Sequence, residues 1–104
     1  KIPAKTVEGS PHKIPHIGWS EIFPVPGVDW KQTILEDTPA ATPVYLVHSF
    51  HLTPSDPANL LAACDYGGHR VTAAVRSGNI FGAQFHPEKS GKAGLQILAT
   101  FLRL

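Results

Sequence analysis

Thiols, long apolar runs and clusters of one charge are what this sequence has least of, and each scarcity removes a class of function. Cys64 is the only cysteine, so an internal disulfide is impossible and a zinc site built on several thiolates is excluded. The apolar stretches are far too short to span a bilayer, and the first residues, KIPAKTVEGS, lack the apolar core of a signal peptide. Nine basic and eight acidic side chains give a formal net charge of +1, and no Lys/Arg run exceeds a pair. That leaves no electrostatic footprint for a nucleic acid or an anionic membrane. The expectation is a soluble, cytoplasmic protein whose partner is another protein or a small molecule.

Proline and glycine, by contrast, are plentiful: ten and nine in 104 residues. They form no low-complexity tract but punctuate short elements. Seven of the prolines, from Pro3 to Pro43, fall at intervals that forbid a long helix, so extended segments and turns should dominate the first half. From Pro43 to Leu52, PVYLVHSFHL is rich in β-branched and aromatic residues and predicts a strand buried on at least one face. Leu60 to Cys64 is a short apolar run, strand or helix, followed by turn residues Asp65 to Gly68. HRVTAAVR and NIFGAQFH predict a hairpin turning at Ser77-Gly78-Asn79. Ser90 is placed to cap a final helix whose apolar residues Leu95, Leu98 and Leu102, with Ile97, Phe101 and Leu104 beside them, recur at helical spacing. A hairpin, one further strand and one amphipathic helix cannot cover a sheet on both faces, so the chain reads as part of a fold.

The residues with chemistry are mostly histidines. His86 and Glu88 flank Pro87, and if they share one side of a strand's end the carboxylate can set the imidazole tautomer, as in a general base with its orienting acid. The same two residues could equally be a surface histidine and a glutamate leading into the final helix. His12 and His16 are four apart, but Pro11 and Pro15 rule out the helix that would align them on a metal. His48 and His51, three apart on an extended segment, should point to opposite faces. No metal and no cofactor are therefore expected. Cys64 follows an apolar run and precedes Asp65, which both raise a thiol pKa, so it reads as a small buried hydrophobe rather than a nucleophile. No G-x-S-x-G elbow exists either. The base has no nucleophile within the chain.

At this point the motifs carry a resemblance. FGAQFHPEKSGKAGLQIL, Phe81 to Leu98, resembles the C-terminal signature of class I glutamine amidotransferases, in which a strand delivers the His and Glu of a Cys-His-Glu triad. KIPHIGW (Lys13 to Trp19), YLVHSF (Tyr45 to Phe50), CDYGG (Cys64 to Gly68) and GNIFG (Gly78 to Gly82) are similar to motifs of the glutaminase subunits of imidazole glycerol phosphate synthases. The resemblance implies an α/β fold, namely the C-terminal half of a flavodoxin-like amidotransferase domain with strands and a hairpin followed by a C-terminal helix. Residues 1–104 would be the C-terminal part of that single domain, with the nucleophilic cysteine in a Gly-x-Cys-x-Gly elbow upstream of Lys1.

Further expectations follow from the resemblance. His86 would be the general base and Glu88 its orienting acid. The backbone around Ser49 and Phe50 would hold the head group of the substrate, glutamine. His16, Trp19 and Lys89 would face a synthase partner, a (β/α)8 barrel that forms a heterodimer with the glutaminase and receives its ammonia. HSFHLTPSDPANLLAACDYGG also resembles paralogues that supply ammonia for surface-sugar synthesis, with Ser20 standing where the histidine-pathway family commonly has Asn. A non-catalytic docking module is the alternative from another class.

Overall fold

A computed structural model describes residues 1–11 and 14–104. Five strands and one helix follow in order: β1 (His16–Pro24), β2 (Thr42–His48), β3 (Leu60–Tyr66), β4 (His69–Ser77), β5 (Ile80–Ala83) and α1 (Gly91–Arg103). The sheet order is β2-β1-β3-β4-β5, and every pairing is antiparallel. This is the expected combination of strands, hairpin and C-terminal helix of a partial amidotransferase domain. Sequence patterning had only prescribed extended backbone for the first half, and β1 was not visible as a strand there. Its residues alternate between buried and exposed from His16 to Ile22, yet Gly18 and Ser20 dilute the apolar signal on which recognition of a strand depends.

β1 holds the sheet together. Its first seven residues pair with β2, from His16 opposite His48 to Ile22 opposite Thr42, and its last two, Phe23 and Pro24, pair with Ala63 and Ala62 of β3. The hairpin of β4 and β5 turns as the composition predicts: Ser77 pairs with Ile80, and Gly78 takes a φ of +58° at the first loop position, a conformation that glycine adopts without Cβ strain.

The sheet cannot be flat. Beyond β5, Gln84 N donates to Ala73 O of β4 at 2.7 Å, and His86 N donates to Tyr45 O of β2 at 3.0 Å. Two residues of extended chain and the bond to Tyr45 together reach at most about 10 Å. Gln84 continues the line of β5, and β5 and β2 are the two edges of the sheet, four places apart in the strand order, which in a flat sheet is about 19 Å. The sheet therefore curls until β2 comes close to the β4–β5 edge. Curling encloses a core built on Ile22, Val44, Leu46, Cys64, Val71, Phe85 and Ile97. The irregular segment between β1 and β2 closes one side: Ile34 and Leu35 are buried, and Trp30 Nε1 donates to Leu61 O at 2.9 Å.

α1 forms where the apolar spacing predicts a helix, and its buried residues are Gly94, Ile97 and Thr100. Leu95, Leu98, Phe101 and Leu102 are exposed. The physical reason is a close approach. A Cβ on Gly94 would collide with the Pro87 carbonyl oxygen and lie 2.7 Å from its carbon and 3.0 Å from Ser90 Cβ. The helix is thus docked through its smallest residue, and the leucine face is left uncovered by the described residues. At the far end Arg103 pairs with Asp37. Among the described residues no helix is long and apolar enough to cross a membrane.

Candidate active site

His86 is held by its backbone before its side chain does anything. The proline that follows biases it to extended dihedrals, φ −100° and ψ 99°. Its N–H reaches the edge strand at Tyr45 O, while its own carbonyl accepts from Lys89 N at 3.0 Å and from Ser90 Oγ at 2.6 Å. Ser90 Oγ also accepts from Tyr45 N at 3.0 Å. Tyr45 thus grips the segment at both ends, His86 directly and Ser90 through its hydroxyl. Ser90 sits at the N-cap position of α1, as expected, but its side chain makes no cap bond. That hydroxyl is already committed on both its donor and acceptor sides.

Pro87–Lys89 forms a single 3-10 turn. The turn, and not the pleat of a strand end, brings Glu88 back toward His86. β5 stops at Ala83, so the same-side argument from strand geometry does not apply at residues 86–88. Proline supplies the fixed φ that begins a tight turn and has no N–H to satisfy there. The result is a hydrogen bond of 2.9 Å between His86 Nδ1 and Glu88 Oε1. A hydrogen bond from its own backbone amide holds the Glu88 carboxyl below the usual carboxylate range, with smaller contributions from His86 and Lys89. An ionised carboxylate only accepts, so the ring proton lies on Nδ1 and the basic lone pair on Nε2. The two side chains are 41% and 60% exposed, which leaves Nε2 open to a reactant.

The remaining candidates fall into two groups. Trp19 is exposed and meets Tyr45 edge-on, with ring centroids 5.8 Å apart. Its indole edge lies 3.9 Å from where a Cβ on Gly91 would stand. Lys89 is exposed on the 3-10 turn. Tyr45 is the common neighbour of Trp19 and the His86–Ser90 segment, so these residues share one region of the surface. His16, expected to face a partner, is instead only 3% exposed. It stacks on Tyr66 at 4.0 Å and hydrogen-bonds His48. The strand's alternation turns it inward where Ile17 and Trp19 turn out.

Ser49 and Phe50 follow β2 directly. Ser49 O accepts from Ile2 N at 2.8 Å, Phe50 O accepts from His48 Nδ1 at 3.1 Å, and the Phe50 ring is exposed. His51 does not face a common ion with His48: its Nδ1 accepts from Thr72 N at 3.1 Å. The His12 half of the other histidine pair lies outside the described residues. Cys64 is 2% exposed, and burial, helped by the Asp65 charge, pushes its thiol up to about 11. Sequence reasoning missed Tyr45 as a structural clamp, since it acts through its backbone and no side-chain pattern marks that. For Ser90 a polar position was legible, but its partner was not.

The family model for "Glutamine amidotransferase class-I" matches residues 4–104. The chain is 46% identical over 104 residues to imidazole glycerol phosphate synthase subunit HisH 1 of Legionella pneumophila (strain Lens), covering 99% of this chain and 49% of that protein. It is 41% identical over 92 residues to subunit HisH 2 of Pseudomonas aeruginosa, covering 88% and 43% of the two chains. With subunit HisH of Rhodospirillum rubrum it shares 46% over 94 residues, covering 88% and 41%. The chain spans about half the length of the curated relatives it matches. The motif-bearing turn at His86 and the sheet that holds it lie wholly inside the matched residues, and this chain belongs to the class I glutamine amidotransferase family.

Proposed function

We propose that this chain supplies the base-bearing, C-terminal part of a single glutaminase domain that hydrolyses glutamine and passes ammonia to a synthase partner. The observation that carries the reading is the 2.9 Å bond from His86 Nδ1 to Glu88, which leaves Nε2 as an exposed base. A cysteine supplied from elsewhere in the protein loses its proton to Nε2, and the thiolate attacks the glutamine carboxamide carbon. His86 then protonates the departing ammonia, a thioester remains, and water activated by the same nitrogen hydrolyses it to glutamate. Glu88 keeps the imidazole in the productive tautomer and stabilises the imidazolium that forms in each half-reaction. The Ser49–Phe50 backbone holds the amino-acid head group of glutamine.

The likeness to subunits named for imidazole glycerol phosphate synthase, at 41–46% identity, supports histidine biosynthesis as the pathway over surface-sugar synthesis. The acceptor of the ammonia is then a (β/α)8-barrel synthase in a heterodimer. Trp19 and Lys89 suit that interface physically: one is a rigid exposed apolar wall, the other a movable charge beside the base. The uncovered face of Leu95, Leu98, Phe101 and Leu102 is available to the remainder of the domain. Residues 1–104 alone should not turn over glutamine, because their single thiol is buried and raised to about 11.

The test is His86→Ala in the full-length protein with its synthase. Glutamine-dependent synthesis should be abolished while synthesis from added ammonia survives. Loss of both, or retention of the glutamine reaction, overturns the reading. Glutamine hydrolysis by the 104-residue polypeptide would overturn the claim that the nucleophile lies outside it.

A further inference from the structure

His16 and His48 stand opposite each other on β1 and β2 and are buried together. Nδ1 of His16 lies 3.0 Å from Nε2 of His48, Nδ1 of His48 lies 3.1 Å from Phe50 O, and Nε2 of His16 lies 2.9 Å from Ser20 Oγ. These contacts settle the tautomer of His48. A carbonyl oxygen only accepts, so His48 carries its proton on Nδ1. Burial holds His48 below its ordinary value, which keeps it neutral, and its Nε2 is an acceptor. His16 must then donate from Nδ1. Donation runs from His16 through the His48 ring to the Phe50 carbonyl. Tyr66, stacked on His16, holds the plane of the first ring.

The end of that chain is what gives it a use. In a trans peptide the N–H points opposite to the C=O of the preceding residue. Ser49 O turns inward to Ile2 N and Phe50 O turns inward to His48, so the N–H groups of Phe50 and His51 point away from those partners. Neither N–H has a hydrogen-bond partner among the described residues. The His51 N–H, held by a Phe50 carbonyl anchored behind it on His48, is a donor suited to an anionic group such as an α-carboxylate.

We propose that His48, kept in its Nδ1–H form by His16, is a positioning residue that aims the Phe50–His51 peptide at the head group of glutamine. The proposal rests on the assignment of the Ser49–Phe50 segment to substrate binding. His48 touches no reacting atom, and its effect should appear in glutamine binding.

Two substitutions of His48 separate positioning from packing, measured in the full-length protein with its synthase. In His48→Asn the amide nitrogen replaces Nδ1 and keeps the bond to Phe50 O. In His48→Gln the amide replaces Nε2, keeps the contact to His16 and loses the bond to Phe50. KM for glutamine should stay near the wild-type value in the Asn variant and rise by about tenfold in the Gln variant, with kcat less affected and the ammonia reaction unchanged. Equal effects in the two variants, or none in either, overturn the proposal. If wild-type protein hydrolyses no glutamine, or His86→Ala retains the activity, the glutaminase reading itself has failed. Nitrogen-15 NMR of the unmutated protein gives an answer that does not depend on variant folding: His48 should be the Nδ1–H tautomer and His16 should carry a proton on Nδ1, and an Nε2–H form of His48 overturns the proposal.

Discussion

Replacing Ser90 by alanine tests the clamp on His86. Ser90 is 2% exposed, and its hydroxyl donates to His86 O at 2.6 Å and accepts from Tyr45 N at 3.0 Å. Alanine removes both bonds. The His86 carbonyl keeps Lys89 N as a donor, but the Tyr45 N–H is left with no acceptor. Each lost bond is worth about 1 kcal/mol net, and a stranded donor in a part-buried site brings the total to about 2–3 kcal/mol. Urea denaturation of the full-length protein should show a midpoint lowered by about 1 M at an unchanged slope. Glutamine-dependent kcat should also fall, because His86 is then tied to β2 by one bond, its own N–H to Tyr45 O. Ser90→Asn distinguishes this account from simple helix capping. Asparagine caps as well as serine, so capping predicts near-normal stability. The clamp predicts a loss at least as large as alanine's, since the longer amide cannot bridge His86 O and Tyr45 N in a space cut for a hydroxyl. A destabilisation of Ser90→Ala below about 0.5 kcal/mol, or rescue by asparagine, would refute the clamp.

Gly94→Ala should destabilise by about 1–3 kcal/mol or more, because the added methyl runs into the Pro87 carbonyl; unchanged thermal stability and glutaminase activity would contradict the close docking of α1. Cys64 should resist alkylation at neutral pH, since a thiol raised to about 11 is ionised in only about one molecule in ten thousand at pH 7; labelling in the native protein at the rate of a free thiol would show it to be accessible. Burial lowers His48, and His51 likewise, from the ordinary value of 6.5. In that window the unfolded chain binds more protons than the folded one, so stability should be full above about pH 6.5 and decline as pH falls toward the lowered native values. Urea midpoints measured across this range should slope downward toward acid, and less steeply in His48→Asn.

Much of the site was legible because it is local. His86, Pro87 and Glu88 are adjacent in sequence, and a proline between two functional groups restricts them in any fold. Even so, the pleat was the wrong device: a 3-10 turn makes the contact, and only the point at which β5 stops decides between the two. The hairpin at Gly78 and Asn79 and the burial of Cys64 were also readable, since turn chemistry and an apolar neighbourhood are written in consecutive residues. The docking face of α1 was not legible, because periodicity identifies an apolar stripe without saying what lies against it. Gly94 shows no hydrophobic signal, yet it is where α1 docks.

His16 shows the other limit. Nothing in its neighbours says that β1 turns it inward against His48, thirty-two residues away, while Trp19 faces out. What the sequence determined by itself was therefore the short-range content: a histidine and a glutamate set to meet across one proline, a tight hairpin, an amphipathic helix, and a single buried thiol in these residues. The tertiary structure alone decided which strand holds His86, through Tyr45 and Ser90, and which histidines form a buried pair. Those choices depend on the curl that brings β2 close to the β4–β5 edge. Curl is a property of five strands packed together, and no single segment encodes it.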